Sequence, residues 1–152
     1  MLVTIDDPHG RQAMDLKATL QSFMNEVWNH GDFMNLGDFL THTYEIYQDP
    51  GDPWDGKTLD NNEFVERVMY SRTAFPDLHF NIQEMILETD KIAVRWTMSG
   101  THLGDLPQLP STGNKFSITG MTFYYFNDGI ICGHRQSFDQ LGFLSQIGAF
   151  GL

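Results

Sequence analysis

The sequence predicts an α+β domain, with helices first and a curved antiparallel sheet after them, the two closing on a pocket. Three observations carry this. Apolar residues recur at helical spacing up to Pro76 and at every second position beyond it. The two patterns are segregated along the chain and do not alternate, which separates α+β from α/β organisation. Turn signals at Glu88-Thr89-Asp90 and Asn127-Asp128-Gly129 divide the second half at hairpin spacing. The 152 residues suit one domain spanning 1–152.

The first helix carries Leu16, Leu20, Phe23, Met24, Val27 and Trp28 on one stripe and stops at Gly31. Asp32 is a cap for a short second helix bearing Phe33, Leu36, Phe39 and Leu40, although Gly37 weakens it. Tyr44 to Gln48 reads as a short strand, and Asp49-Pro50-Gly51-Asp52-Pro53 as a turn-rich loop. Asp60 with Glu63 starts a third helix, whose stripe is Phe64, Val65, Val68 and Met69. Pro76 disfavours helical geometry at Phe75, so this helix ends just before it.

Leu78, Phe80, Ile82 and Ile86 then alternate with polar neighbours, as do Ile92, Val94, Trp96 and Met98. A Gly/Pro-rich loop from Gly100 to Asn114 leads to an aromatic strand, Phe116 to Phe126. Ile130 to Asp139 is the last strand, and a short amphipathic tail with Leu141, Phe143, Leu144 and Ile147 ends the domain. Trp96, Phe123 and the first-helix stripe are expected to bury together or line one cavity. The strand Phe116–Phe126 is apolar on both faces, which predicts a homodimer or larger oligomer through the outer face of the sheet.

Composition narrows the function. The net charge of −11 repels phosphate backbones and anionic lipid, so neither nucleic acid nor a membrane surface is expected as a partner. A lone cysteine, Cys132, forms no intrachain disulfide, and its apolar strand blunts it as a nucleophile. No histidine pair stands at metal-ligand spacing, and no phosphate-binding loop or nucleophile elbow occurs, so no metal or cofactor is expected. Residues 1–7 show no basic region followed by an apolar run, which leaves the cytoplasm as the expected compartment.

Several segments, in order, resemble one family. They are Asn25-Glu26-Val27-Trp28-Asn29-His30-Gly31-Asp32, Ala74-Phe75-Pro76-Asp77-Leu78-His79, Ala93-Val94-Arg95-Trp96, Gly100-Thr101-His102-Leu103-Gly104 and Ser111-Thr112-Gly113. Asp128-Gly129-Ile130-Ile131 and the run from Asp139 to Gly148 complete the set. Together they resemble the SnoaL-like polyketide cyclases of the nuclear transport factor two-like superfamily. The resemblance implies a cone-shaped, cystatin-like α+β barrel with a deep apolar pocket and a tendency to oligomerise. It also implies ring closure by metal-free aldol condensation, or a related isomerisation, of a small carbonyl compound. A non-catalytic ligand-binding module of the same fold is the alternative.

The resemblance carries the family's acid/base aspartate to Asp139. Placed in an apolar pocket, such a carboxylate takes a proton from carbon and returns it to oxygen. Read from spacing alone, Asp139 is a cap of the tail helix rather than a base. Where the family has Glu and Trp, this chain has Gly133 and Arg135. Arg135 shares a strand face with Asp139, so it either forks onto an anionic ligand or makes a rim ion pair. His134 falls on the opposite face, packed or solvent-facing. His102, at a strand end beside the long loop, is a candidate ligand contact or a backbone-bonded loop residue. Tyr47, beside the Pro/Gly loop, and Tyr125, near the strand position of the family's assisting histidine, are candidate donors to an oxyanion. Trp96 completes the expected substrate-binding set.

Overall fold

The computed structural model describes residues 8–150. The first seven residues, searched above for a secretion signal, lie outside that range. Helix α1, Pro8–Phe23, continues through a wider π-helical turn, Met24–Asn29, and the chain then reverses at Gly31 with φ +64°. Leu16, Leu20, Phe23, Val27 and Trp28 are all buried along this stripe. Helix α2 is shorter than the spacing suggests, Leu36–Phe39, and Asn35 stands at its N-cap in place of Asp32. The Asp32 carboxylate instead accepts the Met34 N–H at 3.0 Å in the preceding turn. Leu40 leaves the helix and opens strand β1, Leu40–Gln48, which is therefore longer than the expected Tyr44–Gln48.

A two-residue strand β2, Thr58–Leu59, pairs with β1 and carries too few residues to show a period. Helix α3, Asn61–Ala74, starts where Asp60 accepts the Glu63 N–H at 2.8 Å and stops before Pro76. Strands β3 (His79–Glu88), β4 (Lys91–Thr101), β5 (Lys115–Asn127) and β6 (Ile130–Phe138) form the meander, and α4, Gln140–Gln146, closes the chain. The β5–β6 turn has Asp128 at φ +49° and Gly129 at φ +79°, the left-handed pair that a two-residue hairpin requires.

The sheet order is β2-β1-β6-β5-β4-β3. One pairing corrects the expectation of a purely antiparallel sheet: β1 runs parallel to β6. The helices deliver β1 to the free edge of β6 in the same direction, and only a long crossover through the rest of the chain joins the two. Register slips along this pair between Leu40 and Glu45 and again between Ile46 and Gln48. Inward-facing residues of β5 are Phe116, Ile118, Gly120, Thr122, Tyr124 and Phe126, all buried. Phe123 has the opposite parity and is 53% exposed on the outer face, so it does not join the cavity with Trp96 as expected. Trp28, Phe80 and Trp96 pack edge to face, with ring centroids 5.5 and 5.1 Å apart, and tie the helix to the sheet.

Candidate active site

Between the concave face of the sheet, α3 and α4 lies a cavity of about 410 Å³. Its walls are apolar and aromatic, with Trp28, Phe75, Phe80, Trp96, Met98 and Phe138 prominent. The loop after β4 covers one side, placing Leu106 and Leu109 at the cavity, and it is pinned to α3 where Leu103 and Gly104 both donate to the Ala74 carbonyl. Polar groups gather at one end: Asp49, Asp52, Arg67 and Gln136.

That end is built from four elements. The slip in β1 turns Asp49 inward, where it is 1% exposed. Arg67 rises from the buried stripe of α3 and donates through Nη2 to Asp49 Oδ2 at 2.9 Å and through Nε to Asp52 Oδ2 at 3.0 Å. Its guanidinium lies 5.1 Å from the Trp28 ring centroid and 5.8 Å from that of Phe64. His134, inward on β6, reaches Asp49 Oδ2 through Nε2 at 2.8 Å, and its Nδ1 lies 2.7 Å from the Tyr44 hydroxyl. Because a carboxylate only accepts, Nε2 carries the proton, and the neutral ring takes the Tyr44 hydrogen at Nδ1. Gln136 Nε2 donates to both Asp49 oxygens, at 3.2 and 3.3 Å. Asp49 Oδ2 thus accepts three bonds, while Oδ1 accepts only the 3.2 Å bond from Gln136.

Burial pushes the His134 imidazole below its ordinary range, against the opposing effect of Asp49, which agrees with the neutral tautomer. Burial also lifts the Tyr44 hydroxyl well above its ordinary range, so it stays a donor. Arg67 loses hydration on burial, yet Asp52 and Asp49 more than offset this and hold it charged. Two carboxylates share one guanidinium, and no other basic side chain lines the cavity among the described residues. Two carboxylates and one guanidinium thus meet at this end, and Arg135, expected to face the pocket, is not among its residues.

The sequence-predicted residues separate into two groups. Trp96 lines the cavity, as expected. Arg135, Tyr47 and Tyr125 come together on the outer face, with the Arg135 guanidinium 5.0 Å from the Tyr47 ring centroid and the two tyrosine rings 5.4 Å apart. Strand parity sends Arg135 outward because its neighbours His134 and Gln136 point in. His102 is fully buried but takes no part in the cavity wall; its Nδ1 lies 3.0 Å from the Thr112 hydroxyl and holds the base of the covering loop. Asp139 is exposed at the N-cap of α4, accepting the Gly142 N–H at 2.9 Å. The expectation of a buried base at Asp139 is therefore not met: the Gly142 N–H in the first turn of α4 holds its carboxylate at the exposed helix cap.

Asp49, Arg67, His134 and Gln136 were missed. Arg67 had a visible signal, since it stands three residues after Phe64 and beside Val68 on an apolar helix face. A buried arginine there needs a carboxylate partner. Gln136 and His134 share one strand parity, which marks them as facing the same way but not which way. Among the described residues no cluster of His, Cys, Asp and Glu could hold a metal ion, and no helix is long and apolar enough to cross a membrane.

Comparison with known proteins adds a family to this geometry. Residues 18–147 match the model of the SnoaL-like polyketide cyclases. The chain is 30% identical over 128 residues to aklanonic acid methyl ester cyclase DauD of Streptomyces sp. (strain C5), covering 82% of this chain and 77% of that one. A solved structure of a candidate polyketide cyclase from Acidithiobacillus ferrooxidans is 34% identical, with a TM-score of 0.82 over 98% of this chain and 100% of the other. A candidate SnoaL-like cyclase from Jannaschia sp. CCS1, 16% identical with a TM-score of 0.79 over 97% and 99% of the two chains, shares the fold.

Proposed function

The chain belongs to the SnoaL-like polyketide cyclase family, and on that premise we propose that it closes a ring, or carries out a related isomerisation, by acid–base chemistry on a small, largely apolar carbonyl compound. Asp49 is the base in this reading. Asp49 lines a mainly apolar cavity, and its Oδ1, the less occupied oxygen, takes a proton from the carbon beside a carbonyl. The electron pair left on that carbon forms an enolate, which attacks a second carbonyl of the same molecule, and the proton returns to the new alkoxide. Gln136 has a second amide hydrogen beyond the one shared by Asp49, and it donates to the enolate oxygen. Arg67, His134 and Tyr44 hold Asp49 in place, and of the three only Arg67 also borders the cavity. The single observation that carries the reading is an inward carboxylate with one under-used oxygen at the end of an apolar cavity.

The net negative charge of the polar end favours neutral substrates, such as esters, over free acids. The relative named for an aklanonic acid methyl ester gives a starting probe. Turnover of this ester and of simpler aromatic β-ketoesters is followed by absorbance for the wild type and for Asp49→Asn. A loss of about 100-fold or more in the variant, with binding kept, supports the reading. Binding without turnover by the wild type across the panel supports the ligand-binding module instead.

We further propose that the protein self-associates through the outer face of its sheet. Ile86, Met121 and Phe123 are each more than half exposed there, beside Arg95, Arg135 and Glu84. An apolar patch flanked by charges of both signs is suited to a second copy related by a two-fold axis.

A further inference from the structure

We propose that Thr122 is a positioning residue for Asp49, acting through Gln136, so that the amide of Gln136 can face the carboxylate in only one orientation. The inference rests on Asp49 as the base, but it is carried by its own geometry. Thr122 is buried on the inward face of β5, directly across from Gln136 on β6 and next to Trp96 on β4. The indole N–H of Trp96 donates to Thr122 Oγ1 at 2.9 Å, and Oγ1 donates its single hydrogen to Gln136 Oε1 at 2.8 Å.

An indole nitrogen can only donate and a carboxylate can only accept. The carboxylate fixes the direction of the chain Trp96–Thr122–Gln136–Asp49, and the Thr122 hydrogen, with Trp96 on one of the two lone pairs of its oxygen, locks the amide from the other side. Were Gln136 to turn over, its carbonyl would face the Asp49 carboxylate, and the Thr122 hydrogen would lose the Oε1 that now accepts it. The indole reaches Thr122 because it lies across Gly120, where any Cβ would collide with the ring. Held this way, Gln136 keeps one N–H on Asp49 and presents the other to the cavity. A valine at position 122 keeps the shape and removes both the acceptor and the donor, leaving the amide held by Asp49 alone.

The test uses the full chain without substrate first. Nitrogen-15 spectra follow solvent exchange of the Gln136 side-chain amide in the wild type, Thr122→Val and Thr122→Ser. Exchange is expected to quicken about tenfold or more in Thr122→Val, from the loss of the bond that orders the amide, and to return near the wild-type rate in Thr122→Ser. In turnover assays the acidic limb of the pH–rate profile moves to higher pH in Thr122→Val and returns in Thr122→Ser. Should Thr122→Val fail to fold, Trp96→Phe decides: it removes the first donor together with the part of the ring that lies across Gly120, and quickened exchange at Gln136 is again expected. A folded variant whose Gln136 amide exchanges within about twofold of the wild type, where tenfold is predicted, overturns the proposal. If the amide responds but no substrate is ever turned over, positioning stands and the cyclase reading falls.

Discussion

Replacing Arg67 by methionine tests whether the buried ion cluster is built as described. Methionine fills much of the same length but leaves Asp49, 1% exposed, with no cationic partner. Removing one member of a buried pair costs about 3–5 kcal/mol, because the remaining charge stays desolvated. At 5% exposure the Arg67 side chain gets little relief from solvent, so no large discount for screening applies. For a chain of this size each kcal/mol lowers the melting temperature by roughly 2–4 °C, giving a fall of about 6–20 °C. The assay is thermal and urea unfolding of the wild type, Arg67→Met, Asp49→Asn and the double variant. Because the two residues touch, the double variant should be less destabilised than the sum of the singles by about 1–3 kcal/mol. A loss below about 1 kcal/mol in Arg67→Met, or simple additivity in the cycle, would refute the cluster.

Other outcomes follow from the same geometry. Asp139→Asn should retain turnover and change stability by less than about 0.5 kcal/mol, since Asn caps a helix nearly as well; loss of activity, measured in the same ester assay, would return Asp139 to the site. His134 has a folded pKa depressed by burial, so the unfolded chain binds more protons below its ordinary range near 6.5. Stability from this residue is therefore full above about pH 6.5 and declines as pH falls toward the folded value; urea midpoints between pH 7.5 and about 5 should show this slope, and His134→Gln should flatten it. Phe123→Asp should yield a monomer by light scattering where the wild type is a dimer, without altering ligand affinity; a monomeric wild type at tens of micromolar, roughly the range of modest association, would contradict self-association.

Much of the architecture was legible because periodicity and turn chemistry are local. The Asp60 cap, the stop before Pro76 and the Asp128-Gly129 turn each follow from residues within a few positions of one another. The parallel β1–β6 pair was not legible, because it joins residues some ninety positions apart and no local signal sets its direction. The candidate site failed for a related reason. Asp49 points inward only because β1 slips register after Ile46, and an irregularity of one residue reverses every inference from parity. The same parity argument put Arg135 and Asp139 on one face, but without an anchor it could not say that Arg135 faced out. Trp96 was placed correctly because an alternating apolar strand in the middle of a sheet leaves a large aromatic few other positions.

The direct test of Asp49 as the base is proton transfer itself, measured separately from ring closure. Wild type and Asp49→Asn are incubated in D₂O with a neutral β-ketoester seen to bind, and deuterium entering the carbon beside the carbonyl is followed by proton NMR. Enzyme-dependent exchange in the wild type, reduced about 100-fold or more in Asp49→Asn and unchanged in Asp139→Asn, is the predicted result. Equal exchange in wild type and Asp49→Asn would contradict it and remove Asp49 from the chemistry.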